Sequence, residues 1–270
     1  MTAMDFEYDG IYLSDLGFII CEIGGGTGLN TSKAGSQLSF TKVTVDGGKY
    51  WFLEGAEYGE CFETSFTIGK CSGDPFDDDE YAFIMRWLNR KEFHELAVVD
   101  VNYDIIRFTG SFNVQKIEIC GEIFGFQLSF YSNSPFGRYK QISKSYTVPS
   151  GGTIRILDIS DEPGFLRPDI LKITLSSAGN LTIKQEFDGE VVATTRINGC
   201  SNGETITIDG KTLVVTSSVV GKNVYSNFNF VYPKLSNTFS GTKTSNENIW
   251  TFSLPCTVEL SYSPIRKIVF

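Results

Sequence analysis

The sequence predicts a mainly β protein of two domains, and three observations carry that prediction. Apolar and polar side chains alternate along short segments, as at Phe124, Phe126, Leu128 and Phe130. Turn pairs such as Asp9-Gly10, Asp188-Gly189 and Asp209-Gly210 punctuate these segments. Phenylalanine is abundant, 22 residues against 3 methionines, and aromatic side chains suit a pleated surface better than a helix. A length of 270 residues fits one large domain or two of ordinary size. The apolar share of 41% supports packed cores and excludes disorder over most of the chain.

The elements follow in order. A strand carrying Phe6 and Tyr8 on one face runs into Asp9-Gly10, and Phe18 to Cys21 follows a Ser-Asp-Leu-Gly turn. The stretch Gly24-Gly25-Gly26-Thr27-Gly28, continuing to Ser36, reads as a long flexible loop or a hairpin tip. Gln37 to Val45 alternates, Asp46-Gly47-Gly48 turns, and Tyr50 to Leu53 returns. Glu60 to Ile68 is another strand. Then comes one helix, Asp77 to Lys91: Asp77 to Glu80 put negative charge at its start, and Tyr81, Ile84, Trp87 and Leu88 form its apolar stripe. Strands resume at Leu96 to Val101, Asp104 to Gly110, Phe112 to Ile119 and Glu122 to Tyr131.

Polar residues with Pro149, Ser150, Gly151 and Gly152 mark a boundary between Tyr131 and Ser150. The expected domains are therefore 1–140, holding the helix, and 150–270. The second half shows no helix. Its strands are 153–159, 170–176, 180–187, 191–197, 204–209, 211–217, 227–231, 249–254 and 257–262, spaced as in a β-sandwich.

Charge and cysteine content bound the function. The net charge is −9 and the isoelectric point about 4.8, with no basic cluster able to neutralise a run of phosphates. DNA is thus no binding partner. No stretch approaches the roughly 18 apolar residues of a membrane helix. The start of the chain lacks a signal peptide pattern, and the six cysteines form no Cys-x-x-Cys pair, so free thiols in a reducing cytoplasm are expected.

The search for chemistry is unrewarding. His94 is the sole histidine, just beyond the helix, where a structural or helix-dipole role is the simpler one. No Gly-x-Ser-x-Gly elbow accompanies it. Cys61 and Cys71 read as cysteines on adjacent strands, short of a zinc ligand set. The acidic run before the helix lacks the alternate spacing and turn glycine of a calcium loop. The Gly24 loop lacks the Gly-Lys-Ser/Thr ending of a phosphate loop and a helix behind it. No catalytic residue, metal or cofactor is expected.

Several segments, in order, resemble one family. Phe6-Glu7-Tyr8-Asp9-Gly10-Ile11 followed by Leu16-Gly17-Phe18 resembles the start of phage distal tail proteins. Arg86-Trp87-Leu88, with Phe93 and Leu96 after it, resembles that family's N-domain helix and following strand. Glu162-Pro163 through Pro168 to Ile173, then Glu204 to Asp209, then Glu259 to Arg266, resemble strands of its galectin-like β-sandwich. One departure stands out: the family's Gly-x-Asn turn is replaced by Gly241-Thr242-Lys243 and Asn246-Glu247-Asn248.

The resemblance implies an N-terminal β-sandwich-like domain with one helix, a C-terminal galectin-like β-sandwich, and a structural role without enzymatic activity. It implies a homo-hexameric ring at the distal end of the tail, between the tail tube protein and the tail-tip protein. Receptor-binding proteins would be carried outside and DNA would only pass through. The protein would be made in the host cytoplasm and end in the virion. Gly24, Gly25, Gly26, Thr27 and Gly28 are the candidate interface residues, reaching a neighbour or lining the channel. The alternative is a lectin-like carbohydrate-binding adhesion module of the tail tip; the one tryptophan of the second half, Trp250, alternates with Phe252 and Leu254 as a core residue would.

Overall fold

A computed structural model describes residues 5–21, 38–44, 48, 50–58, 61–99, 106–238 and 247–267. The chain divides into two compact units, one of residues 1–139 with 266–270 and the other of residues 140–265.

Unit 1 is built on β1 (Asp5–Tyr8), β2 (Ile11–Tyr12), β3 (Phe18–Ile20), β4 (Leu38–Thr44), β5 (Trp51–Tyr58), β6 (Glu63–Lys70), α1 (Asp78–Leu88), β7 (His94–Val99), β8 (Ile106–Ile119), β9 (Glu122–Ser132) and β10 (Gly137–Arg138). An antiparallel sheet runs β2-β1-β7-β8-β9-β6-β3. Asp9 and Gly10 both take positive φ, as a tight two-residue turn between β1 and β2 requires. The sheet is strongly rolled. Phe6 of β1 and Phe66 of β6 have ring centres 5.2 Å apart, although three strands separate them along the ladder. A flat sheet would hold them about 19 Å apart, at ~4.8 Å per strand. The two wings therefore face each other, sandwich fashion, and close over an aromatic core.

Phe112 is the centre of that core, with Phe6, Tyr8, Phe66 and Phe130 all within 5.9 Å ring to ring. The helix buries Ile84, Trp87 and Leu88, and the Trp87 indole donates to the Tyr8 carbonyl at 3.0 Å. Its start is a capping box: the Asp77 carboxylate accepts from the Glu80 N–H at 2.8 Å, and the Glu80 carboxylate accepts from the Asp77 N–H at 2.9 Å. It ends at Leu88 rather than Lys91, because Asn89 leaves helical geometry. The segments read as two strands, Asp104 to Gly110 and Phe112 to Ile119, form a single strand, β8, from Ile106 onward. Gly110 does not break it. A side chain there would meet the Tyr131 carbonyl at 2.2 Å and the Phe130 ring at 2.5 Å, so the glycine serves close packing.

Unit 2 is a two-sheet sandwich of β11 (Ile142–Val148), β12 (Thr153–Leu157), β13 (Gly164–Leu166), β14 (Ile170–Leu175), β15 (Gly179–Phe187), β16 (Glu190–Cys200), β17 (Thr205–Asp209), β18 (Val214–Ser217), β19 (Leu235–Asn237), β20 (Glu247–Phe252) and β21 (Cys256–Tyr262). One sheet runs β11-β21-β14-β17-β18 and the other β12-β20-β15-β16; β13 and β19 form a separate ribbon. Ile173, Ile183, Ile206, Trp250, Phe252 and Val258 are fully buried between the sheets.

The stretch from Tyr131 to Ser150, where a domain boundary is expected, also contains β11, which pairs with β21 along its whole length. One expectation fails here. Residues 227–231 are not a strand. The Asn229 side chain accepts from the Arg196 and Val231 N–H groups and donates to the Thr194 carbonyl, taking the place of ladder bonds.

Two tyrosine side chains cap backbone groups at the edge strand β18. The Tyr225 hydroxyl accepts from the Val215 N–H at 3.0 Å, and the Tyr232 hydroxyl donates to the Leu213 carbonyl at 2.8 Å. Both satisfy groups that an open edge would offer to another strand.

Candidate functional site

The feature of unit 1 that its own fold leaves unused is the β4–β5 hairpin. The two strands pair only with each other. Register fixes what each face carries. Leu38 pairs with Tyr58, Phe40 with Ala56, Lys42 with Leu53 and Thr44 with Trp51. The opposite face holds Ser39, Thr41, Gly55 and Glu57, with Val43 and Phe52 toward the tip.

A bulge between Thr41 and Lys42 leaves Glu54 without a partner. It matters because strand side chains alternate with period two. Without the extra residue, Trp51 and Leu53 would fall on the face opposite Ala56 and Tyr58. With it, Leu38, Phe40, Trp51, Leu53, Ala56 and Tyr58 share one face.

That face is uncovered: Leu38 is 47% exposed, Phe40 51%, Trp51 68% and Leu53 62%. At the base, the Tyr58 ring meets Phe136 edge-on at 4.6 Å, tying the hairpin to unit 1. A two-stranded hairpin is marginally stable alone, and a contiguous exposed apolar patch marks an interaction surface.

The residues singled out from sequence fall as follows. Gly24, Gly25, Gly26, Thr27 and Gly28, and the turn residues Asp46 and Gly47, lie outside the described residues. The alternation of Gln37 to Val45 is present as β4, but it faces solvent on both sides. Trp250 is fully buried, as its alternation indicated.

His94 Nδ1 lies 3.2 Å from the Asp9 carboxylate, which also accepts from Arg90 at 2.8 Å. The bond from Arg90 comes first among the causes that hold the Asp9 carboxyl below its usual range. This cluster ties the helix end to the β1–β2 turn. Cys61 and Cys71 flank one strand, β6, at its two ends, and do not sit on adjacent strands. Among the described residues the cysteines are free and no group of three His, Cys, Asp or Glu side chains is placed to hold a metal. No helix among them is long and apolar enough to cross a membrane.

The charge is divided unequally. Residues 140–265 contain eleven Lys and Arg and eleven Asp and Glu, so unit 2 is neutral. The other 12 basic and 21 acidic residues of the chain's 23 and 32 lie in unit 1, which carries the entire −9.

Comparison with known proteins accords with this architecture. Residues 1–134 match the family model described as phage tail protein N-terminal domain, and residues 136–262 match phage tail C-terminal domain. The crystal structure of the SPP1 Dit protein (gp 19.1) aligns with a TM-score of 0.68 over 97% of this chain and 99% of that one, at 12% identity. That protein is described as a paradigm of the hub adsorption apparatus in phages infecting Gram-positive bacteria. A structure of infectious bursal disease virus, Gt strain, aligns at 15% identity over 85% of this chain and 59% of that one, with a TM-score of only 0.19. No curated protein matches by sequence. Both halves and the fold of the whole thus agree: the chain belongs to the phage tail protein family, with the fold of a Dit-type hub protein.

Proposed function

We propose that this protein assembles as a closed ring hub at the distal end of a phage tail, with the β4–β5 hairpin as the arm that packs on the next copy. The uncovered apolar face of the hairpin carries this reading. An arm on one side and a different receiving surface on the other make a head-to-tail contact, which closes into a ring when the rotation is right. Covering Leu38, Phe40, Trp51 and Leu53 would remove on the order of 400 Å² of apolar surface from water. That is worth about 10 kcal/mol gross at ~25 cal/mol/Å², before the losses of association.

The ring would join the tail tube on one side to the tail-tip protein on the other, with unit 2 facing outward toward host-attachment proteins. The acid surplus of unit 1 suits a passage for DNA, since like charge keeps the phosphates from adhering. The fold brings no bond-breaking chemistry to this role.

The test is the mass in solution, by light scattering behind size exclusion across a concentration series. The ring reading expects a species near six times the 30.0 kDa chain. The double variant Phe40→Ser, Trp51→Ser should remain monomeric with an unchanged melt. A wild-type chain that stays monomeric both alone and with its tail tube protein would sink the reading.

A further inference from the structure

Unit 2 displays one cationic aromatic patch. Phe165, on the β13–β19 ribbon, is 54% exposed. The Arg167 guanidinium and the Lys234 ammonium each lie 5.2 Å from the centre of its ring, Arg167 from just after β13 and Lys234 from just before β19. Neither cation forms an ion pair among the described residues.

The patch is held in place. The Lys234 N–H donates to the buried Gln185 side-chain oxygen at 2.8 Å. Gln185 in turn donates to Thr195 at 3.0 Å, and Thr195 donates to the Val231 carbonyl at 2.7 Å. Beyond Arg167, the Pro168 carbonyl packs so closely on Gly210 that a side chain there would meet it at 2.0 Å. The cations are thus set against the ring before any partner arrives, which lowers the ordering cost of binding.

The chemistry selects the occupant. The shallow cleft alongside, lined by Arg167, Pro168, Tyr232 and Pro233, encloses no volume for a small ligand. Two cations are too few for a phosphate track. Arginine beside exposed aromatic rings is the make-up of a protein–protein hot spot, and unpaired cations there call for a partner rich in carboxylates. Unit 1 of another copy is such a partner, because it carries the whole −9 of the chain while unit 2 is neutral. Side-by-side packing of acidic units brings like charge together, and a cationic contribution from the neighbour's unit 2 offsets that repulsion.

We propose that Phe165, Arg167 and Lys234 form a second contact between copies, docking unit 2 of one copy on the acidic unit 1 of the next. This contact rests on the ring reading, but it is separate from the hairpin in residues and in physics: one is apolar, the other electrostatic.

Sedimentation velocity on the full chain tests it, at about 0.05 M and about 0.5 M NaCl, where screening lengths differ severalfold. Wild type should associate at least about tenfold more weakly at high salt. Arg167→Glu with Lys234→Glu should weaken association at low salt by about as much and remove most of the salt dependence. Phe165→Ala should fall between. Circular dichroism melts verify that the variants are folded. A charge-reversed variant that associates like wild type at low salt overturns the contact, as does a wild type that is monomeric under both conditions. Loss of association in Phe40→Ser, Trp51→Ser with none in the charge-reversed variant leaves the hairpin reading standing and this contact refuted. The reverse pattern refutes the hairpin and supports the patch.

Discussion

The two units solve the problem of burial differently. Unit 1 is held by rings: Phe6, Tyr8, Phe66, Phe112 and Phe130 pack around one another, and among the described residues Ser132 is its one buried polar side chain. Unit 2 buries Asp158, Asp169, Gln185, Thr195, Glu204, Asn237 and Asn248 and bonds most of them internally. Unit 2 also caps two backbone groups at its β18 edge with tyrosine hydroxyls, whereas unit 1 extends an apolar hairpin that it does not cover. Unit 1 leaves its largest apolar surface uncovered, so under the proposed ring the first contact between copies falls on unit 1.

Perturbing each core in turn tests that contrast. Phe112→Ala should cost about 3–5 kcal/mol, because the surrounding rings cannot collapse into the space. In urea, followed by far-UV circular dichroism together with proteolysis, unit 1 should open while unit 2 keeps its transition. A single concerted transition for both units would contradict their independence.

Next in size is the buried ion pair of unit 2. Lys222 Nζ donates to both Glu204 oxygens at 2.7 and 2.9 Å, and Ser217 and the Ser201 N–H also donate to that carboxylate. Lys222→Met alone should cost about 3–5 kcal/mol by leaving a buried charge unpaired, and adding Glu204→Gln should restore most of it. Burial alone would raise the Glu204 carboxyl, but Lys222 and these hydrogen bonds outweigh it and hold it below its usual range. A lowered folded value means that the stabilisation is complete above the unfolded value. It is lost as pH falls from about 4.5 through the folded value. Thermal melts between about pH 6 and pH 2 should show that loss in wild type and not in the double variant.

The smallest effect has the opposite sign. Asp158 is buried at the end of β12; burial raises its carboxyl, and two bonds from Ser160 only partly offset this. A raised folded value means that the ionised form costs stability at neutral pH, and that the cost shrinks as pH falls through the folded value. Asp158→Asn should therefore stabilise unit 2 by about 1 kcal/mol near pH 7 and by little near pH 3. Melts at the two pH values decide it: a variant less stable at neutral pH would contradict this account.

The sequence made local features legible where one residue type answers one local need. Asp9-Gly10 marks a turn because both positions take positive φ, and Asp77 with Glu80 marks a helix start because each caps the other's N–H. Features set by distant partners were hidden. Gly110 reads as the end of a strand, yet it lies within β8, where Phe130 and Tyr131 approach from the neighbouring strand. Residues 227–231 have strand-like composition, but Asn229 substitutes for the ladder and Phe230 sits at φ 56. The hairpin pattern of Leu38, Phe40, Trp51 and Leu53 was visible as strands. Its exposure was not, since alternation reads alike whether the covering surface is the chain's own core or another molecule.

The tyrosine caps on β18 have a consequence for the life of the particle. Virion proteins are made in many copies and wait, crowded, for assembly. A sandwich with a bare edge would offer every other copy a strand to extend, and that growth has no natural end. By spending Tyr225 on the Val215 N–H and Tyr232 on the Leu213 carbonyl, unit 2 withdraws two backbone groups at its β18 edge from such growth.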